Sequence, residues 1–440
     1  MNKRNSVVAF FFIAFTTVGQ WVPAGLFSST LHYQASAFHN LDSGLFVYGA
    51  NNPGPFAPAT EGGIVLTDDG AASGGYFIWY EPSTNLEDID VKMTGGKPLY
   101  MAAGHELYNR SIVVRPYLFP AYPFGFDSVR TGTGRYYRAI RMRNDLVAFT
   151  GGADQAGNGI IDMSTDTGAT WTNIAFLPGQ PVSRLHFVND TLAFAATGGY
   201  SRLTNNGIAI PDSGAIYRST DGGLNWAQVL SDTATGFSDV EFVNDQIGAA
   251  TRNDGAVLRT TDGGNTWLPA SVNLPAPIVM TSLTFRSDGT GFATGYRTDG
   301  LSGYVFISTD DGATWSENYN TSGLNSARRL YDVRFFDDAH GYACGQIRPL
   351  RTTGIITDQV ELSSLTGALY PVPASDFLNV NTGFDGLAEV TISDALGRQM
   401  AISMFTRKSQ ALDVGGLPAG SYVVRVRAGS KAWSRGFVKL

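Results

Sequence analysis

The chain has 440 residues, a net charge of -7 and only 16% charged residues, against roughly 25% in an average globular protein. That acidic balance, with no long run of Lys or Arg, excludes a phosphate-tracking surface, so no nucleic-acid partner is expected. The one cysteine, Cys344, excludes a disulfide framework and a thiolate metal cluster, and reads as a small buried filler. The length suits one large domain plus a small one. The 52 glycines, 27 Phe and 19 Tyr point to an all-β fold rich in tight turns.

At the N-terminus Lys3 and Arg4 precede an apolar stretch from Val7 to Phe15, and Thr17-Val18-Gly19 supplies small residues for cleavage. This pattern predicts a signal peptide over 1–19 and a mature chain from Gln20. The apolar stretch is far short of the about 20 residues that a membrane-spanning helix needs, and no other stretch approaches that length. No transmembrane segment is expected.

One octapeptide then recurs: Ser164-Thr-Asp-Thr-Gly-Ala-Thr-Trp171, Ser219-Thr-Asp-Gly-Gly-Leu-Asn-Trp226, Thr260-Thr-Asp-Gly-Gly-Asn-Thr-Trp267 and Ser308-Thr-Asp-Asp-Gly-Ala-Thr-Trp315. A short carboxylate in a turn can accept backbone N–H bonds, Gly supplies positive φ, and the indole can turn back onto the core. Asp166, Asp221, Asp262 and Asp310, with Trp171, Trp226, Trp267 and Trp315, are therefore expected to be structural. The octapeptide resembles the Asp box of sialidase-like (BNR-repeat) β-propellers.

A second unit precedes each octapeptide, anchored at Phe187, Phe242, Phe285 and Phe335, and more weakly at Phe38, Met93 and Met142. The spacing of these anchors is close to the 40–50 residues of other propeller repeats. They predict seven blades over 20–362, with six blades plus a separate strand pair as the alternative. Thr67-Asp-Asp-Gly70 is half an octapeptide. The last unit lacks a Trp strand, whereas Trp21-Val22 is a Trp strand with no unit before it. Pairing the two would close the ring and remove its exposed edges.

After Gly367 the pattern changes. Leu369-Tyr-Pro-Val-Pro-Ala-Ser-Asp376, Asp394-Ala-Leu-Gly-Arg398, Leu417-Pro-Ala-Gly-Ser-Tyr422 and Gly436-Phe-Val-Lys439 punctuate alternating apolar and polar positions, which predicts a small Ig-like β-sandwich over 368–440. The segment resembles the C-terminal sorting domain of type IX secretion cargo, departing at Val372, where Asn is usual. The resemblance implies the type IX machinery as a partner, export across the outer membrane, removal of the tail, and release or attachment to surface lipopolysaccharide.

Chemistry is harder to find. His32, His39, His105, His186 and His340 lack metal-ligand spacing, so no metal is expected, and no phosphate loop or nucleophile elbow implies a cofactor or a catalytic serine. The Arg-bearing start of a sialidase has its nearest counterpart in Tyr137-Arg138-Ala139-Ile140, without the Pro. Residues three or four before the anchors are expected at the mouth of the central channel: Asp90, Arg138, Arg184, Asp239, Tyr331 and Asp332. They form either a mutually paired rim or a polar ligand site. The insertion Arg115–Phe126 offers Tyr117, Phe119 and Tyr122 as an exposed aromatic surface. The expected function is a secreted or surface-displayed, non-catalytic binding module for glycan or another surface polymer. A glycoside hydrolase with its site at the propeller mouth is the alternative. A periplasmic assembly factor, as in photosystem assembly, is disfavoured by the tail.

Overall fold

The computed structural model describes residues 21–25, 31–49, 61–72, 75–106, 110–116, 126–199, 213–275, 277–300, 302–322, 329–346, 349–352, 368–370, 374–382, 388–394, 399–428 and 431–439. Every regular element among them is a β-strand. They fall into two compact units, one within Gln20–Gly354 and one within Ile355–Leu440. The predicted signal peptide, the residues Tyr117, Phe119 and Tyr122, and the 395–398 turn lie outside the described residues.

The larger unit is a succession of antiparallel meanders, each running from an inner strand outward. The inner strands are His32–Phe38, Thr84–Thr94, Arg135–Met142, Val182–Phe187, Phe237–Phe242, Ile278–Phe285 and Leu330–Phe335. Each packs beside the next, and the last returns to the first, so they close a ring and the unit is a β-propeller. A single pairing, Gly49 with Asn85, joins the first two meanders into one sheet.

Local chemistry explains the repeat. After several inner strands an Asn turns the chain: Asn144 Oδ1 accepts the Leu146 and Val147 N–H groups, and Asn189 and Asn244 do the same for their own turns. The second strands are built from small residues, as in Ala193–Thr197, and are buried between neighbouring sheets.

The octapeptides close the third strands. Ser164 Oγ–H donates to Asp166 Oδ1 at 2.8 Å and accepts the Gly168 N–H at 2.9 Å. The Asp166 carboxylate accepts the Thr170 N–H and hydroxyl at 2.8 and 2.6 Å, and Trp171 Nε1–H donates to the Gly168 carbonyl at 3.0 Å. The same bonds recur at the other three copies, with the Asn225 amide in place of the threonine hydroxyl at Asp221. The half copy keeps the turn too, with Thr67 Oγ1 bonded to Asp69 and to the Ala71 N–H. At Gly264, φ is +79° and a Cβ would meet the Phe194 ring at 2.5 Å, so this position demands glycine twice over. Trp315 is buried, whereas Trp171, Trp226 and Trp267 are half-buried.

The seam lies inside one sheet. Trp21–Pro23 pairs antiparallel with Leu350–Thr352, completing the sheet of Leu330–Phe335 and Gly341–Gly345. Trp21 meets Phe335 and Phe292 edge-on at 6.1 and 6.2 Å, as Trp267 meets Phe242 and Phe194 at 6.0 and 6.4 Å. The N-terminal Trp thus fills the place of an octapeptide Trp, as expected from the unmatched strand.

The register of the second unit differs from the expectation. Its inner strand runs to Thr94 and closes on a two-residue turn, Gly95 and Gly96, with φ of +56° and +77°. This longer hairpin puts Val91, not Met93, in the place of Phe187 and Phe242.

In the smaller unit, Ala368–Tyr370, Phe377–Asn381 and Ser409–Asp413 form one sheet. Ala388–Asp394, Gln399–Phe405, Gly420–Ala428 and Lys431–Lys439 form another. Leu378, Val380 and Leu412 from the first share one core with Val390, Ile392, Phe405, Val424, Val426 and Phe437 from the second.

Candidate functional site

Each inner strand shifts register at the same step, between Tyr33 and Ala35, Leu86 and Asp88, Tyr137 and Ala139, Val182 and Arg184, Phe237 and Asp239, Met280 and Ser282, and Leu330 and Asp332. Such a bulge re-aims the side chains around it. Here it turns Glu87, Arg138, Ser183, Ser238, Thr281 and Tyr331 toward one void of about 40 Å³. That is room for a few waters and far short of the about 300–1,000 Å³ of small-molecule sites.

The residues after the bulges form a buried ionic ring. Arg184 lies 2.7 Å from Asp332, 3.4 Å from Asp88 and 3.6 Å from Asp239. Arg141 pairs with Asp88 at 2.6 Å, and Arg334 bridges Asp88 and Asp332. The carboxylates also fasten neighbouring meanders. Asp88 accepts the Ile140 N–H at 3.1 Å, Asp90 the Met142 N–H at 2.7 Å, and Asp239 the Leu283 N–H at 3.0 Å and the Ser282 hydroxyl at 2.9 Å. An inner strand is an edge strand, and its outward N–H groups have no sheet partner. The ring supplies one.

Burial pushes the Asp88 carboxyl up, but Arg141, Arg334 and Arg184 outweigh it and hold it well below the usual range. Asp239 is the reverse: burial pushes it up to about 6 against Arg184, whose charge it shares at the longest distance. Burial also pushes Glu241 up, but His186, which sits 2.8 Å away, brings its carboxyl down.

Of the expected rim residues, Arg184, Asp239 and Asp332 come together, but buried rather than at an open mouth. Arg138 and Tyr331 line the small void. Asp90 does not join the ring; Asp88 holds the equivalent place, because the longer second hairpin shifts the register by two. Asp88, Arg141 and Arg334 went unnoticed in the sequence, although aligning the strands on their bulges brings Asp88, Asp239 and Asp332 into one column.

A larger cavity of about 320 Å³ opens nearer the C-terminal ends of the inner strands, among the last, first and second. Ser36, Asp90, Met93, Arg334, Phe336 and Tyr342 are among its lining. Elsewhere the outer strand Tyr76–Pro82 exposes Tyr76, Phe77 and Tyr80. The aromatic run Tyr76-Phe-Ile-Trp-Tyr80 was the available signal for that surface. Among the described residues no cluster of His, Cys, Asp or Glu could hold a metal, and no helix is long and apolar enough to cross a membrane. Cys344 is buried.

No curated protein matches the chain. Among solved structures, the extracellular domain of the one-component system BT4673 from B. thetaiotaomicron is 10% identical, with a TM-score of 0.51, covering 88% of this chain and 48% of its own. YCF48 from Cyanidioschyzon merolae is 14% identical with a TM-score of 0.48, covering 76% of this chain and 98% of its own. Sqt1 from Saccharomyces cerevisiae is 10% identical with a TM-score of 0.44, covering 94% and 99%. At such identities the first of these likenesses speaks to fold alone. Residues 368–439 match the secretion system C-terminal sorting domain family. That tail marks the protein for export through type IX secretion, to the cell surface or the extracellular space.

Proposed function

We propose that the protein is an exported, non-catalytic glycan-binding propeller. It is read as seven Asp-box blades within 20–362, followed by an Ig-like sorting domain over 368–440 that engages the type IX machinery. The observation that carries the non-catalytic part is the state of the ring. Asp88, Asp239 and Asp332 are paired with arginines or with N–H donors, and the space beside them holds about 40 Å³. A glycosidase needs two carboxyl groups flanking a sugar ring, with room for that ring between them. The hydrolase reading keeps one supporting observation, two carboxyl side chains, Asp239 and Glu241, two residues apart on one inner strand. Exposed aromatics at Tyr76, Phe77 and Tyr80 support a binding role.

The purified full chain, incubated with a glycan array and assayed in parallel for released reducing sugar, tests the proposal. Retention of one or more glycans without release is the expected result. Sugar release that disappears in Asp239→Asn or Asp332→Asn would overturn the non-catalytic reading.

A further inference from the structure

The inner strands, aligned on their bulges, share a core position. Ile89, Ile140, Leu185, Val240, Leu283 and Val333 occupy it in the other meanders, and Ser36 occupies it in the first. The positions on either side are equally reduced. Ala35 stands where the ring residues Asp88, Arg184, Asp239 and Asp332 stand, a place that Ala139 and Ser282 also leave small, and Ala37 where Asp90, Arg141, His186, Glu241 and Arg334 stand. The first meander is small at all three successive positions, and the 320 Å³ cavity lies beside it. Its size is at the lower end of the about 300–1,000 Å³ typical of small-molecule sites.

The lining sets the chemistry. Ser36 is 1% exposed, and its hydroxyl has no hydrogen-bond partner among the described residues. Buried hydroxyls nearly always have one, so this atom is poised for a group from outside. Asp90 brings a half-buried carboxylate and Arg334 lies in the same wall, so the lining holds one formal charge of each sign. The Arg334 donors already point inward, to the Ile89 carbonyl, Asp88 and Asp332. At the mouth Met93 is 54% exposed and Phe336 38%, giving an apolar ledge beside the polar floor.

We infer that this cavity is a ligand pocket for a single neutral sugar unit, the terminal residue of a bound glycan. An uncharged ring with hydroxyls on its rim and C–H groups on its face matches a neutral pocket of hydroxyl, carboxylate and aromatic ledge. A charged ligand would leave its ion unmatched. The inference rests on the glycan-binding reading and gives it a location at the octapeptide end of the ring, away from the bulge-lined void.

The test is Ser36→Leu, which installs the residue that Leu185 supplies in its own meander and fills the cavity without a foreign shape. Phe336→Ala, at an exposed position, is the second variant. Both are compared with the full wild-type chain on the glycan array, with thermal unfolding as the check of folding. Binding weakened at least roughly tenfold in both variants, with the unfolding midpoint of Ser36→Leu unchanged or raised, is the expected result. If Ser36→Leu fails to fold, Phe336→Ala decides alone, and wild-type binding in that variant counts against the pocket. Glycan binding that both folded variants retain overturns the pocket and leaves the glycan-binding reading standing. A wild-type chain that binds no glycan on the array overturns both.

Discussion

The carboxylate of Asp88 accepts the backbone N–H of Ile140 across the boundary between two meanders, at 3.1 Å. The same carboxylate receives Arg141 and Arg334 and lies 3.4 Å from Arg184, so one side chain holds two strands and three charges. Replacing it with Ala strands Arg141 and an edge N–H and leaves Arg334 with Asp332 alone. Asp88→Ala is expected to destabilise the propeller by about 3–5 kcal/mol in urea titrations, the range for breaking a buried ion pair on one side. A loss under 1 kcal/mol would show that the ring is not a fastening.

Asp239 gives the ring a pH dependence of definite sign. Its folded pKa, about 6, lies above the unfolded value, so the native state takes up a proton first. As pH falls from 7 toward 4.5, the wild type is therefore expected to gain stability relative to Asp239→Asn. Asp88 acts oppositely: its depressed carboxyl contributes stability above the unfolded value of about 3.9, and that contribution is lost in stronger acid. Thermal midpoints of both proteins across this window check the point, and parallel curves would contradict it.

The seam depends on one indole. Trp21 is buried, stacks edge-on against Phe335 and Phe292, and donates to Asn318 at 2.9 Å. Trp21→Ala is expected to cost about 3–5 kcal/mol, as for other buried Trp truncations, and to raise hydrogen exchange first at Leu350–Thr352.

Glycine and alanine exchange places informatively between two turns. Gly264→Ala combines positive φ with a collision on Phe194 and is expected to destabilise by about 1–3 kcal/mol. Ala71 holds the matching place in the half octapeptide at φ +59°, so Ala71→Gly is expected to stabilise by about 1 kcal/mol. Urea midpoints of the two variants should move in opposite directions.

Much of this architecture was legible because its signals are local. Ser164, Asp166, Gly168 and Trp171 define a turn whose bonds lie within eight residues of one another, and Trp21 stood out as a Trp strand without a unit. What escaped was register. A longer hairpin at Gly95–Gly96 displaced the anchor from Val91 to Met93, and with it the ring residue from Asp88 to Asp90. The arginines of the ring were missed for a different reason. Arg334 and Asp88 are 246 positions apart in the chain and meet only when the circle closes. The cavity left at Ser36 is likewise invisible until the inner strands are aligned on their bulges.

The strand Leu350–Thr352 is flanked on both sides, by Gly341–Gly345 and by Trp21–Pro23. It can leave the ring only by breaking a hydrogen-bond ladder on each side, so the seam is held by an interior strand rather than a free edge.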